Sequence, residues 1–189
     1  MVSNTIVRDR EARLDALLDR QDIYDCLVRM NRGTDRADRD LFLTAFHPDA
    51  VIAAGPFVGN AEELFDWSAK LQDMAHKATY HILLNHSCDI DGDSAHSETY
   101  YLYIAQNRDE TNLFAGGRYL DRFEKRDGVW GLIVRNNSIE WSSVVPALDN
   151  PLAAVPGILA NGIASRGQDD ISYIRPLENK RDRFVPPLG

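Results

Sequence analysis

The sequence has few cysteines, no long apolar run and no excess of basic residues. Cys26 and Cys88 are the only cysteines among 189 residues, and they form no paired metal motif. We therefore expect two reduced, buried thiols. The five histidines share no spacing typical of a metal site, so no metal and no other cofactor is expected.

The charge balance and the absence of long apolar segments exclude two classes of partner. With 21 basic and 29 acidic residues the formal net charge is −8, whereas proteins that bind a phosphate backbone normally carry a basic face. No apolar run is long enough to span a bilayer, and the first ten residues do not resemble a signal peptide. We expect a cytoplasmic protein with neither a nucleic-acid nor a membrane partner.

The length fits one domain with additions at both ends. We predict an N-terminal arm at residues 1–10, a domain at 11–145 and a C-terminal extension at 146–189. The extension is rich in proline and glycine but contains apolar residues, namely Leu152, Ala153, Val155, Ile158, Leu159 and Ile163. Such residues are unusual in a free linker, so we expect the extension to cover either a cavity or a subunit interface.

Helical patterns occupy the first part of the domain. The first helix is predicted from Glu11 to Asn31, with Gly33 as its stop and a loop at 34–36. Its apolar side is expected to contain Leu14, Leu17, Leu18, Tyr24, Leu27 and Val28. A second, short helix follows around residues 41–46. Asn60 with Glu63 three residues later predicts a capping box at the start of a third helix.

The second half of the domain has the pattern of a β-meander. Strand-like runs at 78–90, 94–106, 112–125 and 129–141 are separated by turn-forming residues, which predicts consecutive antiparallel hairpins. Helices followed by a meander indicate an α+β fold. The runs exceed the usual strand length, so a bulge is expected, most naturally at Gly116-Gly117.

The first long strand carries polar groups on one face. Strict alternation places Thr79, His81, Leu83, Asn85 and Ser87 together. A histidine and an amide on the inner face of a curved sheet would face whatever the sheet encloses. On the third strand, Arg118, Asp121 and Arg122 are interpreted as an ion-pair network, with Asp121 as a second catalytic acid kept as an alternative.

Three motifs resemble the SnoaL-like family of the NTF2-like superfamily. They are Asp35 followed by Phe46-His47-Pro48-Asp49-Ala50, then His81, Asn85 and Asp91-Gly92-Asp93, then Gly116-Gly117-Arg118-Tyr119 with Asp127-Gly128-Val129-Trp130. The resemblance covers residues 14–141. It implies a cone-shaped, curved antiparallel sheet that encloses a cavity with three N-terminal helices.

Comparison with the scytalone dehydratase and bile-acid 7α-dehydratase groups implies a catalytic pair, His81 on the first long strand and Asp35 after the first helix. The tyrosine that often precedes this aspartate has no equivalent here, and Thr99 and Tyr101 stand where a second acid or histidine is found in those groups. An imidazole is a base near neutral pH, and a carboxylate on its far nitrogen fixes the tautomer. Without the resemblance, a satisfied buried pair is the commoner interpretation of these two residues.

The resulting hypothesis is a cofactor-independent lyase of the dehydratase type, or an isomerase, acting on a hydrophobic cyclic or aromatic small molecule. Tyr24, Asn85, Tyr101 and Tyr103 are the expected substrate-binding residues. A homo-oligomer, dimer or trimer, is expected. Two alternatives remain, the non-catalytic small subunit of an aromatic-ring dioxygenase and a small-molecule-binding module.

Overall fold

Three α-helices and a six-stranded sheet make up the fold in the computed structural model, which describes residues 2–185 and side chains from residue 9, and α3 lies between the second and third strands in the chain. The helices are α1 (Val2–Asp35), α2 (Arg39–Leu43) and α3 (Ala61–Ala75). The strands are β1 (Phe46–Ala54), β2 (Phe57–Gly59), β3 (His76–Asp91), β4 (Ser94–Asn107), β5 (Thr111–Arg126) and β6 (Val129–Pro146). The predicted α+β class is confirmed.

The sheet is curved and does not close, with the strand order β2-β1-β6-β5-β4-β3. The predicted antiparallel meander is confirmed, because β3 to β6 pair in sequence order through hairpins. β1 adds a parallel pairing with β6, in which Val51 lies opposite Val134. This order leaves β3, which carries His81, at one edge of the sheet.

The strand pairing in the meander shifts at four places, and two of these shifts involve a required glycine or the direction of side chains near His81. The pairing shifts between Gly116 and Gly117, as predicted; a Cβ at Gly117 would lie 1.9 Å from the Ser138 carbonyl oxygen, so only glycine fits there. A second shift, not predicted, lies between Leu83 and His86 on β3. A bulge reverses the inward and outward alternation of every residue beyond it.

Helix α1 is longer than predicted at both ends. It continues to Asp35, so the expected loop at 34–36 is wrong for Thr34 and Asp35, which belong to the last helical turn. Gly33 does not stop the helix. A Cβ at Gly33 would lie 2.7 Å from the backbone nitrogen of Phe42, so glycine is needed here for α2 to approach α1 closely.

The buried face of α1 also differs from the prediction. Leu14, Leu17 and Leu18 are 47%, 61% and 60% exposed, because the first half of the helix extends away from the sheet. The core contacts come from the second half, through Ile23, Cys26, Leu27 and Met30. The core therefore lies between this half-helix, α2, α3 and the inner face of the sheet.

The capping box of α3 is confirmed. Asn60 Oδ1 accepts a hydrogen bond from the backbone N–H of Glu63 at 2.9 Å, and Glu63 Oε2 accepts from the backbone N–H of Asn60 at 3.2 Å. Both bonds satisfy donors that the first helical turn leaves without a partner.

Asn60→Ala is expected to lower the free energy of unfolding by about 1 kcal/mol, because the N-cap acceptor is lost. Urea denaturation measures the change. Asn60→Asp, which keeps an acceptor oxygen, is the matched control and should stay close to wild type. An equal loss in both variants would contradict the capping role.

Both cysteines are free and buried, as expected. Within residues 2–185, none of the helices combines the length and the apolar character needed to cross a membrane.

Candidate active site

The C-terminal end of α1 docks on the edge of the sheet at His81. Because β3 is an edge strand, its outward N–H and C=O groups have no neighbouring strand to bond. Asp35 Oδ2 accepts the backbone N–H of His81 at 2.9 Å, and Asn31 Nδ2 donates to the His81 carbonyl oxygen at 3.2 Å. Two side chains of α1 thus bond both the N–H and the C=O of His81 at the outward edge of β3.

The same aspartate holds the His81 ring. Asp35 Oδ1 lies 2.6 Å from His81 Nδ1 and also accepts from the Thr79 hydroxyl at 3.0 Å. The two side chains are 14% and 15% exposed. A carboxylate at Nδ1 selects the tautomer that carries the proton there and leaves the lone pair on Nε2, the nitrogen with no protein partner among the described residues.

His81 lines two concave spaces. An inner cavity of about 160 Å³ lies between the helices and the inner face of the sheet. Its polar lining comprises Asn31, Thr34, Ser68, Gln72, His81, Tyr119, Arg135 and Asn137, and its apolar lining includes Phe42, Leu64 and Trp67. An outer groove of about 410 Å³ runs between α1 and β3. The groove is lined by Tyr24, Val28, Asn31, Arg32, Asp35, Arg36, His81 and Leu83.

Two of the four expected substrate-binding residues lie near the pair. The Tyr103 ring centroid is 4.7 Å from that of His81, and burial raises the pKa of Tyr103, so its hydroxyl stays protonated. Tyr24 lines the outer groove, and its ring packs edge-on against His86 at 5.5 Å. The structure brings both to the surroundings of His81, while their contact with substrate stays a prediction.

The other two, Tyr101 and Asn85, line neither the cavity nor the groove. Tyr101 is 5% exposed and stacks on Tyr119 with centroids 4.3 Å apart, so it supports a cavity residue from behind. The prediction that Asn85 shares the inner face with His81 is wrong. The bulge between Leu83 and His86 turns Asn85 to solvent.

The bulge brings His86 inward in place of Asn85. His86 Nδ1 lies 2.8 Å from the Thr99 hydroxyl, and its buried Nε2 has no hydrogen-bond partner among the described residues. Burial lowers the pKa of His86, so the ring is neutral at pH 7. No glycine, proline or turn signal marks this bulge in the sequence, which explains why alternation alone failed there.

A buried ion pair that the sequence did not predict lies at the cavity. Arg135 donates from Nε to Asp121 Oδ1 at 2.7 Å and from Nη2 to Asp121 Oδ2 at 2.6 Å, and the side chains are 4% and 0% exposed. The guanidinium also lies 3.9 Å from the Tyr119 ring centroid. Asp121 is indeed an ion-pair residue, but its partner is Arg135 rather than Arg118 or Arg122. Both Asp121 carboxylate oxygens bond this arginine.

Two amide side chains of the cavity were also missed. Gln72 Oε1 and Asn137 Oδ1 are buried and have no hydrogen-bond partner among the described residues. Gln72 is 8% exposed and follows the buried Phe65 by seven residues on α3. A polar residue on the apolar stripe of an amphipathic helix is the signal that would have identified it.

Among the residues that the structure describes, no group of three or more His, Cys, Asp or Glu side chains is arranged to hold a metal ion.

Solved structures with the same fold were found at low sequence identity. LinA-type3, a hexachlorocyclohexane dehydrochlorinase from Novosphingobium barchaimii, is 18% identical with a TM-score of 0.66, covering 74% of this chain and 99% of that chain. A candidate scytalone dehydratase from Novosphingobium aromaticivorans is 18% identical with a TM-score of 0.61, covering 72% and 95%. The Kfla4162 protein from Kribbella flavida is 16% identical with a TM-score of 0.62, covering 68% and 95%.

At these identities the likeness concerns the fold. No curated protein matches the chain. The model of the SnoaL-like domain matches residues 15–136, a segment that includes α1 from its middle, the Asp35–His81 pair and most of the sheet. On this match, the chain belongs to the SnoaL-like family.

Proposed function

We propose that the chain is a cofactor-independent lyase that eliminates a small leaving group from a ring compound, with His81 as the base. The observation that carries the proposal is the 2.6 Å contact between Asp35 Oδ1 and His81 Nδ1 beside a cavity that His81 lines. A satisfied structural pair would need no adjoining space.

The chemistry follows from the two ring nitrogens. The Nε2 lone pair takes a proton from a carbon next to the carbon that bears the leaving group. The C–H electrons form the new C=C bond, and the leaving group departs with its bonding pair. Asp35 stabilises the imidazolium formed at His81. In a dehydration, the imidazolium then protonates the departing hydroxyl, which restores neutral His81 and releases water.

The cavity suggests the size and polarity of the reacting part of the substrate. A space of about 160 Å³ accommodates roughly one benzene-sized ring. The unbonded acceptors on Gln72 and Asn137 favour a ring with hydroxyl or amine hydrogens, because each would otherwise stay unsatisfied on burial. Burial raises the pKa of Tyr119, whose protonated hydroxyl is a donor for a carbonyl or phenol oxygen.

Two neighbours in fold support elimination as the reaction. One is named as a dehydrochlorinase and the other as a candidate scytalone dehydratase, and both names denote loss of a small group from a substrate. Isomerisation uses the same base and is the second outcome to look for.

Proton abstraction can be tested even though the product is unidentified. Single-ring alcohols and ketones that carry a C–H next to the functional group are incubated with the protein in D₂O and followed by NMR. Protein-dependent exchange of that hydrogen, or formation of an alkene, supports the proposal when His81→Gln abolishes it. A ligand that binds and keeps all its hydrogens favours the binding module, and co-purification with a larger iron protein favours the dioxygenase subunit.

The outer face of the sheet supports the proposal of a homo-oligomer. Ile82, Leu102, Gly116 and Trp141 follow one another across four strands, and the Trp141 ring covers Gly116. The neighbouring row contains Tyr80, Ile104 and Phe114. Neither row contains a charged side chain, so an apolar partner surface is required, and a second copy of the chain provides one.

Trp141→Glu is expected to convert the oligomer to monomers, because a carboxylate would be buried in an apolar contact. Light scattering coupled to size exclusion measures the mass. Val129→Glu, at a residue that is 62% exposed in the hairpin between β5 and β6, is the matched control and should leave the mass unchanged. A monomeric wild-type protein would refute the proposal.

A further inference from the structure

Residues 165–173 form a segment that we call the strap. The strap lies outside the residues that match the family model, yet it reaches the side chains around Asp35. Its fixed point is Asp170, which is 1% exposed. The Asp170 carboxylate accepts the backbone N–H groups of Ser165 at 2.8 Å and Ser172 at 2.9 Å, and it lies 3.3 Å from Arg36 Nε. The strap is therefore folded around one buried carboxylate and tied to the end of α1.

A second contact ties the other end of the strap to the loop after α1. The Tyr173 hydroxyl donates to Asp38 Oδ2 at 2.6 Å, and the guanidinium of Arg32 lies over the Tyr173 ring at 4.8 Å. These two contacts hold the strap against the part of α1 that carries Asp35.

The strap brings Arg166 next to the catalytic pair. Arg166 Nη1 is 3.5 Å from the Thr79 hydroxyl oxygen, and Nη2 is 3.4 Å from the Thr34 carbonyl oxygen. Both bonds are long, and no carboxylate among residues 9–185 lies within 4.0 Å of the guanidinium. A half-buried cation without a close anionic partner is costly, so its position calls for an explanation.

We propose that Arg166 is a positioning residue, which the strap delivers to hold the Asp35 carboxylate through Thr79. The Thr79 hydroxyl accepts from Arg166 and donates its own proton to Asp35 Oδ1 at 3.0 Å, and the same oxygen holds His81. In this series Arg166 donates to Thr79, Thr79 donates to Asp35, and Asp35 accepts from His81, so each bond joins a donor to an acceptor. This inference rests on the proposed role of His81 as a base.

The charge of Arg166 acts on the pair in two ways. It attracts the Asp35 carboxylate, and it opposes a second positive charge on the His81 ring. The other charged or titratable groups around His81 are Asp35, Arg32 and Arg36 from α1, His76 from β3 and Tyr103 from β4. Unlike the cations in this list, Arg166 bonds a side chain, Thr79, that also bonds Asp35.

Arg166→Gln is expected to loosen the contact between Asp35 Oδ1 and His81 Nδ1, because Thr79 loses the cation that holds it. NMR of the Nδ1–H proton of His81 in the full-length protein measures this without any substrate, and the signal should move upfield as the hydrogen bond weakens. On an identified substrate, kcat should fall roughly tenfold and KM should change little. Arg166→Lys should restore most of the signal position and most of kcat.

Arg175→Gln is the matched control from the same extension. Among the described residues, Arg175 donates only to the carbonyl oxygens of Ser172 and Ile174, so its loss should leave both the His81 Nδ1–H signal and kcat unchanged. Asp170→Ala releases the strap at its fixed point and should reproduce the change in the signal. The double variant with Arg166→Gln should show no larger change, because both substitutions remove the same contact.

An unchanged His81 Nδ1–H signal in Arg166→Gln would overturn the inference, and so would a rise in KM alone, which would place Arg166 on the substrate instead. These results are distinct from failure of the proposed function. If His81→Gln retains full activity, the base assignment is wrong, whereas an inactive His81→Gln with an unaffected Arg166→Gln refutes only the role of the strap.

Discussion

His81→Gln is expected to lower kcat by about a thousandfold while the protein stays folded. Glutamine is polar and similar in length to histidine, but it has no basic lone pair near neutral pH, so no proton is taken from carbon. The measurement is kcat on a substrate identified by hydrogen exchange, with circular dichroism to verify the fold. Asp35→Asn should lower kcat by about a hundredfold or more, because the amide no longer selects the reactive tautomer.

The double variant separates a catalytic unit from two independent effects. Asp35→Asn combined with His81→Gln should be no slower than His81→Gln alone, since Asp35 acts only through the ring. His96→Gln, at an exposed histidine of β4, is the matched control and should keep full activity. Activity of His81→Gln within tenfold of wild type would exclude His81 as the base.

Asp121→Ala is expected to lower the free energy of unfolding by about 3–5 kcal/mol, the second large effect. The substitution leaves the guanidinium of Arg135 buried without its bidentate partner, and an uncompensated buried charge is far more costly than a lost surface contact. Urea denaturation monitored by tryptophan fluorescence measures the loss.

Replacing both members of the pair should recover much of this stability. Asp121→Leu with Arg135→Met removes the charges together and keeps the volume, so the double variant should be more stable than Asp121→Ala. Arg118→Ala is the matched control, because its bond to Glu140 is as short, at 2.6 Å, but lies on the surface. It should change stability little. A small effect of Asp121→Ala would mean that water reaches Arg135.

The sequence was sufficient for elements with a local signal. The hairpins follow from turn residues between strand-like runs, the capping box from Asn60 and Glu63, and the Gly116-Gly117 bulge from the double glycine in a long strand. The juxtaposition of Asp35 and His81 was accessible through the family resemblance, since 46 residues separate them in the chain.

Features that depend on pairing between distant segments of the chain could not be predicted from the sequence. The parallel contact of β1 with β6 joins Val51 to Val134 across the whole meander, and no local pattern specifies it. The bulge before His86 turns Asn85 outward and His86 inward. The pairing register decides which face a side chain occupies, and composition does not reveal the register. Arg166 reaches Thr79 across 87 residues through an irregular segment that has no periodicity to interpret.

The way in which α1 meets β3 has a consequence for aggregation. Asp35 and Asn31 bond the outward backbone groups of His81 on an edge strand, and unpaired edges are templates for strands of other chains. Asp35→Ala, which removes this acceptor, therefore opens the edge of the sheet as well as disabling the base. We expect this variant to self-associate more readily than His81→Gln, which leaves the backbone bonds in place, so the carboxylate needed for chemistry also protects the sheet from intermolecular pairing.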